Sequence, residues 1–200
     1  MLRHKYIVIE GNIGAGKTTL AEMLSVKFNT GLLLESFAEN TFLPQFYNDP
    51  ERFAFPLEMS FMADRYRQLK NYFSDPGNRP VVSDYFFDKC LLFAKINLKN
   101  EELELFENFY NLLQAQLPRP DLIVFLRKET EALRRNILKR GRSYEKKISP
   151  LYLDRLNNGY KSALLQLEGN IKVLHIQTRD LDFVANASDY LKIINQIINT

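Results

Sequence analysis

One segment near the start of this 200-residue chain restricts the possible folds more than any other. Residues 6–19 read Tyr-Ile-Val-Ile-Glu-Gly-Asn-Ile-Gly-Ala-Gly-Lys-Thr-Thr. An apolar run is followed by glycines, by Lys17 and Thr18, and then by apolar residues at helical spacing. This order predicts a buried strand, a phosphate-binding loop and the first turns of a helix. The alternative is a glycine-rich turn that binds nothing, and the flanking strand and helix patterns argue against it.

The residue types of this loop suit the phosphates of a nucleoside triphosphate. Its glycines allow backbone N–H groups to turn toward an anion at a helix N-terminus. Lys17 is expected to reach the β- and γ-phosphates, and the hydroxyl of Thr18 is expected to hold Mg²⁺. The predicted cofactor-binding residues of the loop are Gly11, Asn12, Ile13, Gly14, Ala15, Gly16, Lys17, Thr18 and Thr19.

Composition restricts the partners of the chain. Because 27 Lys and Arg residues face 24 Asp and Glu residues, no strong basic field is expected to recruit nucleic acid or a membrane. No apolar run is long enough to span a bilayer, and the single cysteine, Cys90, cannot form an internal disulfide. We therefore expect a cytoplasmic enzyme with a small-molecule substrate, in which Cys90 is a buried thiol and His4 and His175 are structural.

Short apolar runs alternate with longer helical patterns along the chain. Strands are predicted at residues 6–9, 32–34, 80–84, 121–126 and 172–176. Helices are predicted at about 17–29, 51–72, 85–117 with an interruption near 97–100, 130–139, 150–167 and 183–198. Thr130 is expected to cap the helix that follows it. The alternation predicts one α/β domain over residues 1–200, with a five-stranded parallel sheet and helices on both faces.

Carboxylates follow two of the predicted strands. Glu35 comes directly after three leucines, and Asp84 ends the run that begins at Pro80. Ligands of open parallel sheets bind outside the carboxyl ends of the strands, beside the first loop. A surface position is the usual fate of such a glutamate, but Glu35 is here the better candidate for a general base.

Two further segments allow a structural and a functional interpretation. The region from residue 37 to residue 73 is dense in aromatic side chains, most of which are assigned to packing. Glu58, Asp64 and Arg65 lie on the same predicted helix and could face an aromatic slot for a flat heterocycle. Residues 134–142 contain five cations, which form either a solvated helix face or part of a lid, at about residues 139–150, that closes over phosphates.

Together these motifs resemble the deoxynucleoside kinases, from Ile7 to about Phe183. The resemblance implies a P-loop kinase fold similar to that of thymidylate kinase, with a short arginine-rich lid. It implies transfer of the γ-phosphate of ATP, with Mg²⁺, to the 5′-hydroxyl of a deoxynucleoside. It also implies a homodimer.

The resemblance gives individual residues a role in binding the acceptor. Glu35 matches the general base that takes the proton of the 5′-hydroxyl. Tyr47 and Glu145 match the pair that binds the 3′-hydroxyl of the deoxyribose.

Other residues match the parts that bind the phosphate donor. The run from Arg140 to Glu145 looks like the lid of the family, in which Arg140 and Arg142 would clamp the phosphates. Asp182 and Phe183 resemble the loop that holds the adenine of ATP.

Two positions depart from the family pattern. The family usually reads Glu-Arg-Ser before the end of its third strand, and this chain reads Asn-Arg-Pro at residues 78–80. Arg79 matches the arginine that touches base and substrate, but Asn78 stands where a glutamate would help to hold Mg²⁺. Glu58 occupies the place of a glutamine that reads the base edge.

These positions bear on the choice of base. The carboxylate of Glu58 only accepts hydrogen bonds, which favours the adjacent N–H groups of guanine. Arg65 matches an arginine found with Asp84 in members that take purines or deoxycytidine. We therefore expect a purine deoxynucleoside, either deoxyguanosine or deoxyadenosine. The alternative is that Glu58 pairs with Arg65, seven residues further along the helix, and does not touch the ligand.

Two other functions remain open. A nucleoside monophosphate kinase of the thymidylate kinase type shares the loop, sheet and lid, but Glu35 and Glu145 would repel the phosphate of its acceptor. A nucleotide-dependent switch protein would need loops that order and disorder with the bound nucleotide. No Asp-x-x-Gly or Asn-Lys-x-Asp pattern follows the phosphate-binding loop.

Overall fold

The computed structural model describes residues 3–37, 39–75, 77–179 and 181–200. It contains a five-stranded sheet in the order β2-β3-β1-β4-β5, in which every neighbouring pair is parallel. The strands are β1 (Tyr6–Gly11), β2 (Gly31–Leu33), β3 (Val81–Ser83), β4 (Leu122–Arg127) and β5 (Lys172–Gln177). The predicted α/β architecture is confirmed.

Helices cover both faces of the sheet. They are α1 (Lys17–Phe28), α2 (Phe42–Asn48), α3 (Pro50–Phe73), α4 (Lys89–Asn97), α5 (Asn100–Gln114), α6 (Thr130–Arg140), α7 (Pro150–Leu167) and α8 (Ala187–Asn199). A short 3₁₀ helix, Ser143–Lys147, joins α6 to α7. The interruption predicted near residues 97–100 separates α4 from α5, whereas α2 was not predicted.

The sheet separates two hydrophobic cores because successive side chains of a strand point to opposite faces. In β1, Tyr6 and Val8 belong to one core, and Ile7 and Ile9 belong to the other. The first core is completed by apolar residues of α3, α4, α5 and α7, and the second by residues of α1, α6 and α8. Continuous apolar runs in β1 and β4 follow from burial on both faces.

The strand order places a crevice beside the phosphate-binding loop. From the central strand β1 the chain passes over β3 to reach β2, and after β3 it crosses β1 to reach β4. The order therefore reverses between β1 and β3, where Val8 lies opposite Ser83. Ligands of doubly wound sheets bind at such a switch point, outside the carboxyl ends of the strands.

Two predictions at helix ends are wrong. Thr130 is the first residue of α6 rather than its cap, because its hydroxyl bonds to the side chain of Asp154. The last helix begins at Ala187, where the side chain of Asn186 accepts from the backbone N–H of Ser188 at 2.9 Å. Residues 182–186 instead form a loop.

Two features at the periphery of the fold bear on earlier predictions, namely the apolarity of the helices and the position of His175. None of the helices in the described ranges is long and apolar enough to span a bilayer. His175 lies on the edge strand β5, and its Nε2 is 2.7 Å from Oε1 of Glu168.

Candidate active site

The phosphate-binding loop adopts a backbone that only glycine suits at two positions. Gly14 has φ of +82° and Gly16 has φ of +98°. A Cβ atom at Gly14 would lie 2.7 Å from the carbonyl oxygen of Leu133, and one at Gly16 would lie 3.0 Å from the ring of Phe183. The loop is therefore fixed by left-handed backbone and by close contacts with α6 and with the residue 182–186 loop.

Side chains from two helices anchor the same loop. Nδ2 of Asn12 donates to the carbonyl oxygen of Leu153 and to Oδ1 of Asn157, each at 2.8 Å, and both partners lie on α7. Nδ2 of Asn136 on α6 donates to the carbonyl oxygen of Gly14 at 2.7 Å. The side chain of Asn12, predicted to contact the nucleotide, thus holds the loop in place.

Lys17 begins α1 at the edge of the cavity. Its Nζ donates to the carbonyl oxygen of Asn12 at 3.1 Å. Burial and repulsion by the nearby charge of Lys89 lower the pKa of Lys17 to about 8, although Glu10, Glu35 and Asp84 act in the opposite direction. The ammonium group therefore lacks a carboxylate partner strong enough to restore its usual pKa.

Asp84 links the loop to the carboxylate after β2. Its Oδ2 accepts from the hydroxyl of Thr18 at 2.5 Å, and its Oδ1 accepts from the backbone N–H of Glu35 at 2.9 Å. The carboxyl ends of β1, β2 and β3 meet here because β3 lies between the other two strands. Asp84, predicted to bind substrate, thus lies on the cavity wall beside Thr18.

Glu35 is held by two cations. Its Oε1 accepts from Nε of Arg65 at 2.9 Å, and its Oε2 accepts from Nζ of Lys89 at 3.0 Å. Burial raises the pKa of Glu35, but the charges and hydrogen bonds of Arg65 and Lys89 outweigh burial and hold it well below its usual value. Lys89 was not predicted, because a lysine at the start of an ordinary helix carries no pattern.

Arg65 also contacts the cysteine. Its Nη1 donates to Sγ of Cys90 at 3.0 Å, and its guanidinium lies 4.9 Å from the ring centre of Phe61. Cys90 is buried as predicted, and burial raises the pKa of its thiol. Arg65 thus pairs with Glu35 and Cys90, whereas Asp84 bonds to Thr18.

Glu58 is more completely buried than Glu35 and has a neutral partner. Its Oε1 accepts from Nδ2 of Asn97 at 2.7 Å, and the same Nδ2 lies 3.1 Å from the hydroxyl of Tyr152. Burial raises the pKa of Glu58 to about 7, with the hydrogen bond from Asn97 acting against it. The alternative pairing of Glu58 with Arg65 is not found among the described hydrogen bonds. Sequence patterns gave no indication of Asn97 or Tyr152.

The lid segment lies over the same cavity. Arg140 makes paired hydrogen bonds to Glu145, from Nε to Oε2 at 3.0 Å and from Nη2 to Oε1 at 2.7 Å. Arg142 donates to Oε1 of Glu145 at 3.2 Å and places its guanidinium 3.8 Å from the ring centre of Phe37. Tyr47 stacks on Tyr144, with ring centres 6.3 Å apart.

One cavity of about 760 Å³, including its open mouth, brings most of the predicted site residues together. Aromatic and apolar side chains of α2, α3 and α4 form its walls, among them Phe61 and Phe93. The predicted residues that line it are Ile13, Gly14, Lys17, Thr18, Glu35, Tyr47, Glu58, Arg65, Asp84, Arg140, Arg142 and Glu145.

Other predicted residues lie elsewhere. Asp64 faces away and pairs with Arg67 at 2.9 Å. Phe183 is buried beside Gly16, behind the phosphate-binding loop. Oδ1 of Asp182 accepts from the backbone N–H groups of residues 184 and 185, which shapes the residue 182–186 loop.

Arg79 lies away from the cavity in which it was predicted to act. It precedes β3, so it lies at the amino end of the strand, whereas the cavity lies at the carboxyl ends. Its Nη1 donates to Oδ1 of Asn29 at 2.9 Å, and its carbonyl oxygen accepts from the hydroxyl of Tyr72 at 2.9 Å. The predicted catalytic and substrate-binding roles of Arg79 are wrong, because the side chain joins the end of α1 on the opposite edge.

Comparisons with known proteins agree on one family. A family model described as deoxynucleoside kinase matches residues 7–200. A deoxyguanosine kinase of Bacillus subtilis is 40% identical over 194 residues, which cover 94% of this chain and 93% of that protein. A deoxyguanosine kinase of Lactobacillus johnsonii is 32% identical, with 96% of this chain and 90% of that protein covered.

A solved structure agrees as well. The deoxyadenosine kinase from M. mycoides with the products dCMP and dCDP bound has a TM-score of 0.85 at 26% identity, covering 98% of this chain and 100% of that chain. The family match over residues 7–200 and a relative 40% identical along nearly its whole length show that this chain belongs to the deoxynucleoside kinase family and phosphorylates the 5′-hydroxyl of deoxynucleosides.

Proposed function

We propose that this kinase uses ATP and Mg²⁺ to phosphorylate a purine deoxynucleoside, with deoxyguanosine preferred over deoxyadenosine. The observation that carries the proposal is a single cavity with Lys17 and Glu35 at one end and the buried carboxylate of Glu58 at the other. The names of the two deoxyguanosine kinases that this chain resembles support the choice of guanine.

The phosphate end of the cavity provides positive charge for the transferred group. Phosphoryl transfer needs little covalent chemistry from the protein, so positioning and charge neutralisation carry most of the rate. Lys17 would contact the β- and γ-phosphates, and Arg140 and Arg142 would close over them from the lid. Both arginines now pair with Glu145. On closing they would give up some of these hydrogen bonds and donate to phosphate oxygens instead.

Thr18 and Asp84 would hold the metal. A hydroxyl and a carboxylate already 2.5 Å apart at the end of the loop match the oxygen ligands that Mg²⁺ prefers. When bound, Mg²⁺ would neutralise charge on the β- and γ-phosphate oxygens. Asp84 would thus supply the protein carboxylate for the metal, in place of the family's glutamate at the position where this chain has Asn78.

The acceptor end of the cavity would orient the sugar. Glu35 would accept the hydrogen of the 5′-hydroxyl, and Arg65 and Lys89 would keep its carboxylate ionised. A carboxylate with a lowered pKa is a weak base, so we infer that it aligns the hydroxyl and takes the proton late in the transfer. Tyr47 and Glu145 would bind the 3′-hydroxyl.

The base would lie among the aromatic side chains beyond the sugar. Phe61 and Phe93 line that part of the cavity and suit a flat ring. Glu58 is nearly fully buried there and accepts hydrogen bonds when it is ionised. This combination supports guanine, whose Watson–Crick edge carries two adjacent N–H donors.

A panel of acceptors tests the proposal. The four deoxynucleosides and dGMP are each supplied with ATP and Mg²⁺, and kcat/KM is measured for every acceptor. We expect deoxyguanosine to give the highest value, deoxyadenosine a lower one, and dGMP no product. Faster phosphorylation of dGMP than of deoxyguanosine would instead support a nucleoside monophosphate kinase, and a pyrimidine with the highest value would contradict the purine assignment.

We also propose a homodimer, which the family resemblance alone supports. Sedimentation velocity of the purified protein should give twice the mass of the chain, and a monomer at micromolar concentration would contradict the proposal.

A further inference from the structure

Asn97, the last residue of α4, stands between two side chains of the base end of the cavity. Its Nδ2 donates to Oε1 of Glu58 at 2.7 Å and to the hydroxyl of Tyr152 at 3.1 Å. A carboxylate can only accept, so the NH₂ group of Asn97 must face Glu58 while the carboxylate is ionised. Within the described ranges, neither Oδ1 of Asn97 nor Oε2 of Glu58 has a hydrogen-bond partner.

We propose that Asn97 is a specificity-determining residue that holds Glu58 in its ionised form and so makes the base end of the cavity select guanine. The proposal rests on the proposed function, because it concerns which purine the same site accepts. Asn97 acts mainly through Glu58 and is therefore a positioning residue, although Asn97 itself also lines the cavity.

The two purines require opposite hydrogen-bond partners at this edge. Guanine presents the donors N1–H and N2–H₂, which suit an ionised carboxylate. Adenine presents the acceptor N1 beside the donor N6–H₂, which suits a carboxylic acid or an amide. A site whose buried polar group is left unpaired by the wrong base rejects that base strongly. The protonation state of Glu58 therefore decides which purine is matched.

Opposing influences act on the pKa of Glu58, so a single neutral hydrogen-bond donor can shift it. Burial is the largest influence and raises the pKa of Glu58 to about 7, and the hydrogen bond from Asn97 is the strongest influence that lowers it. The charged groups nearby have mixed signs, since Arg65 and Lys89 lower the pKa and Glu35 raises it. The remaining titratable groups around it are the thiol of Cys90 and the hydroxyl of Tyr152, both of which burial keeps protonated at neutral pH.

The replacement Asn97→Asp is the sharpest test because it keeps the shape and reverses the hydrogen-bond character. Two carboxylates in contact share a proton, so Glu58 should remain protonated to higher pH. Asn97→Ala removes the donor without adding a charge and serves if the Asp variant does not fold. Lys95→Ala is the matched control, because Lys95 lies on the same helix with its side chain 53% exposed.

The measured quantity is the ratio of kcat/KM for deoxyguanosine to that for deoxyadenosine, from about pH 5.5 to about pH 8.5, together with the dissociation constants of both nucleosides by calorimetry. In the wild-type protein the ratio should rise through about pH 7. In Asn97→Asp and Asn97→Ala the rise should move to higher pH by about one unit, and the ratio at pH 7 should fall about fivefold to tenfold. Lys95→Ala should follow the wild type.

The possible failures are distinguishable. A wild-type protein whose kcat/KM is highest for a pyrimidine deoxynucleoside would overturn the proposed function and this inference with it. An active wild-type protein whose ratio does not change with pH would overturn the inference alone. Folded Asn97 variants that keep the wild-type ratio and midpoint would also overturn it, because a merely structural asparagine would affect both purines equally.

Discussion

The phosphate end and the base end of the cavity are built in different ways. The centre of the phosphate end is one continuous segment, residues 11–18, whose shape depends on left-handed glycines. The base end is assembled from α3, α4 and α7, which contribute Glu58, Asn97 and Tyr152 from positions far apart in the chain. The two ends meet at Glu35, whose backbone N–H donates to Asp84 and whose carboxylate pairs with Arg65.

Because of this difference, the two ends control different properties of the enzyme, turnover at the phosphate end and the choice of base at the base end. A backbone loop fixes geometry and charge and treats every nucleoside triphosphate alike. Side chains on three helices can be exchanged one at a time, so the base end can change its substrate without disturbing the phosphates. We therefore expect replacements near the loop to change turnover, and replacements near Glu58 to change the choice of base.

Glu35→Gln should have the largest effect on turnover, because Glu35 lies where the two ends of the cavity meet and is the proposed base. We expect turnover to fall by about 10²- to 10⁴-fold while nucleoside binding is nearly unchanged, since the amide keeps the shape and loses the base. Because Arg65 and Lys89 hold its pKa well below the usual value, an acidic limb near neutral pH should not come from Glu35. Single-turnover kinetics and calorimetry measure the two quantities, with exposed Glu22→Gln as control. Equal losses of binding and turnover would show that Glu35 is structural.

Lys17→Ala tests the phosphate end by itself. Loss of one preorganised charge on the transferred group should lower kcat by about 10²-fold, with little change in the ratio between purines. Lys27→Ala, on the exposed last turn of α1, is the matched control. Near-wild-type turnover in Lys17→Ala would refute the assignment of the phosphate-binding loop.

Asp84→Asn should weaken the metal site while the fold is preserved. The amide oxygen can still accept from the backbone of Glu35, but the negative charge beside Thr18 is lost. We expect at least about 10- to 100-fold more Mg²⁺ to be needed for half-maximal activity, because loss even of groups that only orient metal ligands typically costs that much affinity. Asp64→Asn, whose carboxylate pairs with Arg67 away from the cavity, should keep the wild-type Mg²⁺ dependence. An unchanged requirement in Asp84→Asn would remove Asp84 from the metal site.

Nucleotide affinity should depend on pH through Lys17. Burial and the charge of Lys89 lower the pKa of Lys17 to about 8 in the unliganded protein, and phosphate binding favours the protonated form. Affinity for ATP should thus be constant below about pH 8 and fall by up to about tenfold per pH unit above it, with proton uptake on binding. Calorimetry in buffers of different ionisation enthalpy measures both. Affinity that is flat to pH 9.5, without proton uptake, would contradict the prediction.

The same contrast explains how much of the structure the sequence predicts. The strands β1 and β4 and the loop between β1 and α1 were predicted because apolar runs and glycine spacing are local signals. Helix α2 was missed because its seven residues, which include Pro44, carry too short a pattern. The strand order 2-3-1-4-5 was not predicted either, since it depends on contacts between segments far apart in the chain.

At the site, the predicted residues belong mainly to local motifs or to family matches. Lys89 and Asn97 were missed because each becomes functional only through a distant glutamate, Glu35 or Glu58. Asp84 was predicted to line the site, but its contact with Thr18 was not, since that contact depends on the pairing of β1 with β3. Arg79 was placed in the site by motif resemblance alone, although it precedes β3 and so lies at the amino edge of the sheet.

Arg79→Ala should have the smallest effect. It tests whether the position of Arg79 at the amino end of β3, rather than its resemblance to the family motif, decides its role. The side chain is exposed at the amino end of β3, and the hydrogen bond that it loses is to Asn29 at the end of α1. We expect kcat/KM to stay within about twofold of wild type and stability to change by no more than about 0.5 kcal/mol, as is usual for exposed positions. Steady-state kinetics with deoxyguanosine and thermal unfolding measure these values. A loss comparable to that of Lys17→Ala would mean that the amino edge of the sheet takes part in phosphoryl transfer, which the position of the cavity at the carboxyl ends of the strands argues against.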